Sequence, residues 1–228
     1  MINKHQIIDE SEQTVGLVRD IKQDVKHIYS PDEIKNFNLE TAINNSPLLN
    51  KPTPVRVKLA YSYIKRELHP TKKYLMPGQL VLFNYMQPKH KEDLQYYDRT
   101  PLTLFIGMIR TKDGNIRELG FNLHYYPPFA RARMLIKVYE TFKPWFDKYF
   151  NKASDKPYTI ISQDRLTAIC NINKSIEFGL KMYVPTLRMQ SYVIPTRLFA
   201  TAVYTEGNFS KATIGQVHRF WRRFRYMK

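Results

Sequence analysis

Residues 101–125, PLTLFIGMIR-TKDGN-IRELGFNLHY, decide the fold class. The stretch 101–110 is apolar and rich in residues that favour extended backbone. Asp113-Gly114 then supplies a hairpin turn, because glycine accepts the positive φ that such a turn needs. Residues 116–125 form the return run. Upstream, QLVLFNYM at 79–86 follows Pro77-Gly78 and reads as another strand. Short turns between neighbouring strands make them antiparallel. Three or four such strands predict a small barrel, SH3-like or OB-like, within an α+β domain.

Helical signals flank this sheet. Pro127-Pro128 opens a helix extending to about residue 150, with Met134, Leu135, Val138, Tyr139 and Phe142 on its apolar side. Pro144 is expected to break or kink it. Residues 163–180 read as a further helix, and residues 189–193 and 199–203 as strands around Pro195. Ser210 is expected to cap a last helix through about Phe224, with Ile214, Val217, Phe220 and Trp221 on one side. Residues 55–68 combine strand-like alternation with helical spacing; the Thr53-Pro54 start favours helix.

The front of the chain differs in character. Residues 1–50 carry five Lys or Arg and eight Asp or Glu, and the remainder carries 31 and 12. The balances, −3 and +19, sum to the net +16. Val18, Ile21, Val25 and Ile28 recur at steps of three, four and three, forming a narrow apolar stripe on a helix over 10–28. Such a stripe suits subunit contact, and equally a helix packed on its own domain. Ser30-Pro31-Asp32-Glu33 is a second helix start. Pro47, Pro52 and Pro54 mark a linker. The expected organisation is an N-terminal helical arm, 1–50, and an α+β core, 51–228, ending in a basic helix and tail.

Several classes of chemistry find no support. The one cysteine, Cys170, cannot form an intramolecular disulfide or a cysteine zinc site, and its LTAIC setting suits a buried inert thiol. No phosphate-binding glycine loop occurs, and no pair of the six histidines has helical ligand spacing. No apolar leader segment and no run of 18 apolar residues is present, so neither a signal peptide nor a membrane span is expected. Asp98 is the best candidate for a metal-binding carboxylate, but turn capping or pairing with Arg99 is the simpler expectation. His124 is expected at the edge of the core, bonded to backbone. No enzyme, cofactor or metal site is expected.

The remaining signal is basic. Residues 211–228 hold six positive side chains and no acid. Arg219, Arg222, Arg223 and Arg225 alternate with Phe220, Trp221, Phe224 and Tyr226, a mixture that binds phosphate and stacks on planar groups. Arg131 and Arg133, at a helix start, are the other candidates for this surface. Their partner is double-stranded DNA, held without sequence preference, or an acidic protein surface.

Three segments carry a family resemblance: GQLVLFNYMQPK at 78–89, YDRTPL at 97–102, and GFNLHYYPP at 120–128 with Arg131. The stretch from Ile194-Pro195 to Ser210-Lys211-Ala212 fits as well. Over about 75–212 the chain resembles a virion-protein family of large tailed bacteriophages known as DNA end protectors. The resemblance implies a structural virion protein at the head–tail connector, neck or genome end, with no catalytic residues to carry over. It implies partners among portal, neck or tail ring subunits, a homo-oligomeric ring, packaged DNA close by, and no membrane. The arm at 1–50 departs from the family, leaving a tail or baseplate component as an alternative. A free DNA-binding or nuclease-like phage protein is another.

Overall fold

The computed structural model describes residues 41–42, 45–70, 75–86, 96–151, 160–172 and 174–226. The stripe Val18, Ile21, Val25 and Ile28 lies outside them. Helix α1 (Thr53–Glu67) buries Ala60 and Ile64, as its helical spacing requires. The expected strands follow as β1 (Leu80–Tyr85), β3 (Leu102–Arg110) and β4 (Ile116–Asn122). Between β1 and β3 a two-residue strand β2 (Tyr97–Asp98) pairs with β8 (Phe209–Ser210). Gly114, at φ +80°, turns the β3–β4 hairpin, closed by Thr111 N–H on the Asn115 carbonyl at 2.9 Å.

The main sheet adds β6 (Leu180–Tyr183) and β7 (Arg188–Ile194), in the order β6-β4-β3-β1-β7 with antiparallel neighbours. A short strand β5 (Ile160–Ile161) pairs with β3 in parallel beyond the end of β1. The ladder does not close, because β6 and β7 are not paired. The α+β reading holds at the level of mixed helix and antiparallel sheet, but the closed barrel is corrected to an open one.

Side chains close what the ladder leaves open. Strands β1 and β6 are separated by two others, yet the Phe83 and Tyr183 rings lie 5.3 Å apart and Tyr85 and Tyr183 5.2 Å. The Val184 N–H donates to the Tyr85 hydroxyl at 3.0 Å. The sheet is therefore strongly curled around Leu75, Val81, Phe83, Phe105 and Tyr183. Across the same concave side Arg188 donates to both carboxylate oxygens of Glu118, at 3.1–3.2 Å. Burial pushes the Glu118 carboxyl up, and Arg188 only partly offsets this. The pair holds the curl rather than adding much stability.

The convex face carries Leu80, Leu82, Leu102, Leu104, Leu119 and Phe121, covered by helices. Helix α2 (Pro128–Asn151) contributes Met134, Leu135, Val138, Tyr139, Phe142 and Phe146. It runs through Pro144 without a break, since Phe142 and Phe146 are buried on either side of the proline. The loss of one backbone bond is outweighed by that packing.

Three further expectations are corrected. Residues 163–180 are not one helix: α3 (Gln163–Ile172) and α4 (Lys174–Glu177) end before Gly179, and Leu180 begins β6. A Cβ at Gly179 would sit 2.6 Å from the rings of Phe121 and Tyr126, so only glycine allows the chain this close to the sheet. Phe199–Ala202 forms a helical turn, α5, rather than a strand. A short apolar run buried by its neighbours has no period to tell the two apart. Finally Ser210 lies in β8, and the last helix, α6 (Ile214–Tyr226), starts later.

The curl gives a double-substitution test. Arg188→Ala should lower the unfolding free energy by about 3 kcal/mol, because Glu118 is left buried and unpaired. Replacing Glu118 and Arg188 together by Leu and Met should cost less than about 1 kcal/mol, measured by urea unfolding.

Candidate nucleic-acid interface

Thr213-Ile214-Gly215-Gln216 starts α6 with a reciprocal cap. Gln216 N–H donates to Thr213 Oγ1 at 3.3 Å, and Thr213 N–H to Gln216 Oε1 at 2.7 Å. Val217 and Trp221 turn into the core. The Trp221 ring meets Tyr126 at 5.7 Å and Phe129 at 6.3 Å, and Phe220 stacks on Tyr96 at 5.8 Å. With that side anchored, Arg219, Arg222 and Arg223 occur at i, i+3 and i+4 and share the exposed face. No Asp or Glu occurs anywhere in α6. Arg225 lies on the same helix, but its side chain is outside the described ones.

The two earlier candidates part company. Arg133 is exposed on α2. Arg131, expected on the same surface, is fully buried and is corrected to an interior position. Its Nε donates to the Tyr126 carbonyl at 2.8 Å and one terminal nitrogen to the Val203 carbonyl at 2.6 Å and to that of Thr205. Such a guanidinium ties the start of α2 to the 203–205 segment and offers nothing to a partner.

Beside Arg131 lies a buried polar network that sequence reasoning missed. Asp98 Oδ1 accepts from the Thr100 and Asn208 amides at 3.0 and 2.9 Å. Its Oδ2 takes Asn122 Nδ2 at 3.1 Å and His124 Nδ1 at 2.9 Å. His124 Nε2 lies 2.9 Å from Thr205 Oγ1, whose hydroxyl is shared with the Ala202 carbonyl at 2.7 Å. Burial raises the Asp98 carboxyl, but the four donors, His124 foremost, outweigh it and hold it below its usual range. Burial lowers His124 in spite of Asp98, so a neutral imidazole faces an ionised carboxylate. Asp98 thus caps a turn, as expected, but its side-chain partner is His124 rather than Arg99. His124 likewise bonds to side chains as well as to backbone.

The order Asp98–His124–Thr205 imitates a nucleophile triad. All three are buried, at 3%, 0% and 0% exposure, so no substrate reaches the hydroxyl. All of the Asp98 acceptor positions are filled by donors, which leaves none for a cation. Among the described residues no group of three His, Cys, Asp or Glu side chains is placed to hold a metal ion. No described helix is long and apolar enough to cross a membrane. The network instead positions the basic helix: His218, on α6, reaches the His124 carbonyl at 3.2 Å. Burial, then Arg131, push His218 down to about 4.

A family model described as Phage T4 terminal DNA protecting protein matches residues 37–153. The match takes in α1, the β1–β4 strands and α2, with Asp98, Asn122, His124 and Arg131, and ends before α6. No curated protein and no solved structure matches the chain.

The network should make stability acid-sensitive. His124 and His218 have folded values below the unfolded value of about 6.5, so protons favour the unfolded chain. Stability should be full above about pH 6.5, fall between there and pH 4, and fall again as Asp98 protonates below about pH 3.9. Thermal unfolding across that range should show the first loss, and His218→Gln should remove part of it. Asp98→Asn should cost about 3 kcal/mol at pH 7, because an amide offers a donor where two donors already point.

Proposed function

The chain belongs to the family of the Phage T4 terminal DNA protecting protein, and from that premise we propose that it holds the end of a phage genome through the arginine face of α6. The observation that carries this reading is the exposure of Arg219, Arg222 and Arg223 on one side of a helix whose other side is locked by Val217 and Trp221. Three guanidinium groups within about one helical turn repel one another unless an anion neutralises them. A duplex supplies phosphates along its whole length, and these carry no sequence information. Arg133, on the neighbouring α2, and Arg225 belong to the same proposed surface. The chain acts as a structural protein of the virion, without catalysis, and no cofactor or metal enters this account.

The finer setting is the head–tail neck at the genome end, in a ring of identical subunits beside portal or tail ring proteins. The arm at 1–50, tilted to negative charge beside a core of +19, supports docking between subunits. Val18, Ile21, Val25 and Ile28 would face the neighbour. An SH3-like rather than OB-like core is supported by the two edge strands β6 and β7 following each other through the single 3₁₀ turn Pro185–Leu187.

Replacing Arg219, Arg222 and Arg223 together by Ala should weaken binding to unrelated duplexes equally. The log–log salt slope should become shallower by about 2.7, at 0.9 per lost phosphate contact. Titrations by fluorescence anisotropy between about 50 and 200 mM salt read both quantities. Unchanged slope and affinity would remove α6 from the interface. Deleting residues 1–50 should abolish assembly with virion proteins, read by co-purification with particles.

A further inference from the structure

We propose that Phe129 is the element that distinguishes a duplex end from duplex interior, by stacking on the terminal base pair. The inference rests on the preceding reading of α6 as the DNA-holding face and adds the feature of DNA that is recognised. Phe129 is 70% exposed, more than any other large apolar side chain described; the next is Met182 at 54%. A scattered exposed Leu or Met needs no explanation, but a phenyl ring this bare is unfavourable in water unless something covers it.

Its setting selects the cover. Phe129 occupies the first turn of α2, directly after Pro127-Pro128, and the Ala130 N–H closes that turn on the Pro127 carbonyl at 2.8 Å. The Trp221 ring braces it at 6.3 Å with an interplanar angle of 66°. Trp221 is followed in the chain by Arg222 and Arg223, both exposed. On α2, Arg133 stands at i+4 from Phe129, on the same exposed side. No acidic residue occupies the first turn of α2. A bare aromatic ring braced by the basic helix α6 and followed one turn later by the exposed Arg133 matches a ligand that offers a planar apolar surface and phosphates together.

Intact duplex does not offer that surface, since every internal base is stacked on both sides. The terminal pair has one free face, and base–aromatic stacking is indifferent to which base provides it. Phosphate contacts from α6 hold any duplex, and Phe129 favours the end. The stacking should make an open end bind about tenfold more tightly than closed duplex of the same sequence.

The test uses the full chain and a duplex of about 30 base pairs with blunt ends, against the same duplex closed at both ends by short loops. Anisotropy titrations at fixed salt should give the tenfold preference for open ends. Phe129→Ala should bind both forms with the closed-duplex affinity, and Phe129→Trp should restore the preference. Circular dichroism of both variants should match that of the parent, because the ring is exposed. Equal binding of the two duplexes by the unaltered chain, or an unchanged preference in Phe129→Ala, would overturn the inference while leaving the arginine face standing. Absence of binding to either duplex would overturn both.

Discussion

Everything around the proposed interface depends on where one buried positive charge is placed. A guanidinium removed from water costs several kcal/mol unless its donors are met. Arg131 offsets much of that cost through Nε and one terminal nitrogen, which donate to carbonyl oxygens of Tyr126, Val203 and Thr205, while its other terminal nitrogen is buried with no hydrogen-bond partner among the described residues. Burial lowers Arg131 to about 10, with Glu206, Tyr61 and Asp98 opposing the fall, and it stays charged at neutral pH. The ionised Asp98 lies in the same region of the interior and balances it. The start of α2, the 203–208 segment and the β2–β8 ladder are joined through these two residues and their hydrogen bonds.

That join gives the surface its geometry. Helix α6 touches the network through His218 and the core through Val217 and Trp221, so its polar face cannot rotate inward without breaking both sets of contacts. The arginines are thus displayed by hydrophobic anchoring, and their mutual repulsion is tolerated because the anchoring is stronger. The neutrality of His124 and His218 matters here: protonation would place further positive charge beside Arg131, where burial already disfavours it.

The family assignment and the geometry bear on different parts of the molecule. The matched residues, 37–153, comprise strands β1–β4, α2 and most of the buried network, while β5–β8 and the arginine face of α6 lie beyond them. The match therefore speaks for the scaffold, and the readings of Phe129, Arg133 and α6 rest on exposure and charge alone.

Legibility in the sequence followed the range of the forces involved. Strands β1, β3 and β4, their turn at Gly114, the helix after Pro127-Pro128 and the amphipathic last helix were legible because each is specified by neighbours within a turn or a hairpin, although the end of the expected return run, Leu123–Tyr125, is a 3₁₀ turn rather than strand. The Thr213–Gln216 cap was equally legible and was misassigned to Ser210. By contrast, the open curl, the strand identity of 180–183 and the fate of Arg131 depend on residues far apart in the chain. Thr205 meets His124 across 81 positions and Arg188 meets Glu118 across 70. A basic residue at a helix start has the same local pattern whether it faces water or carbonyls. Only the packed structure, by burying Arg131 and leaving Arg133 exposed, decided which of the two lies at the surface.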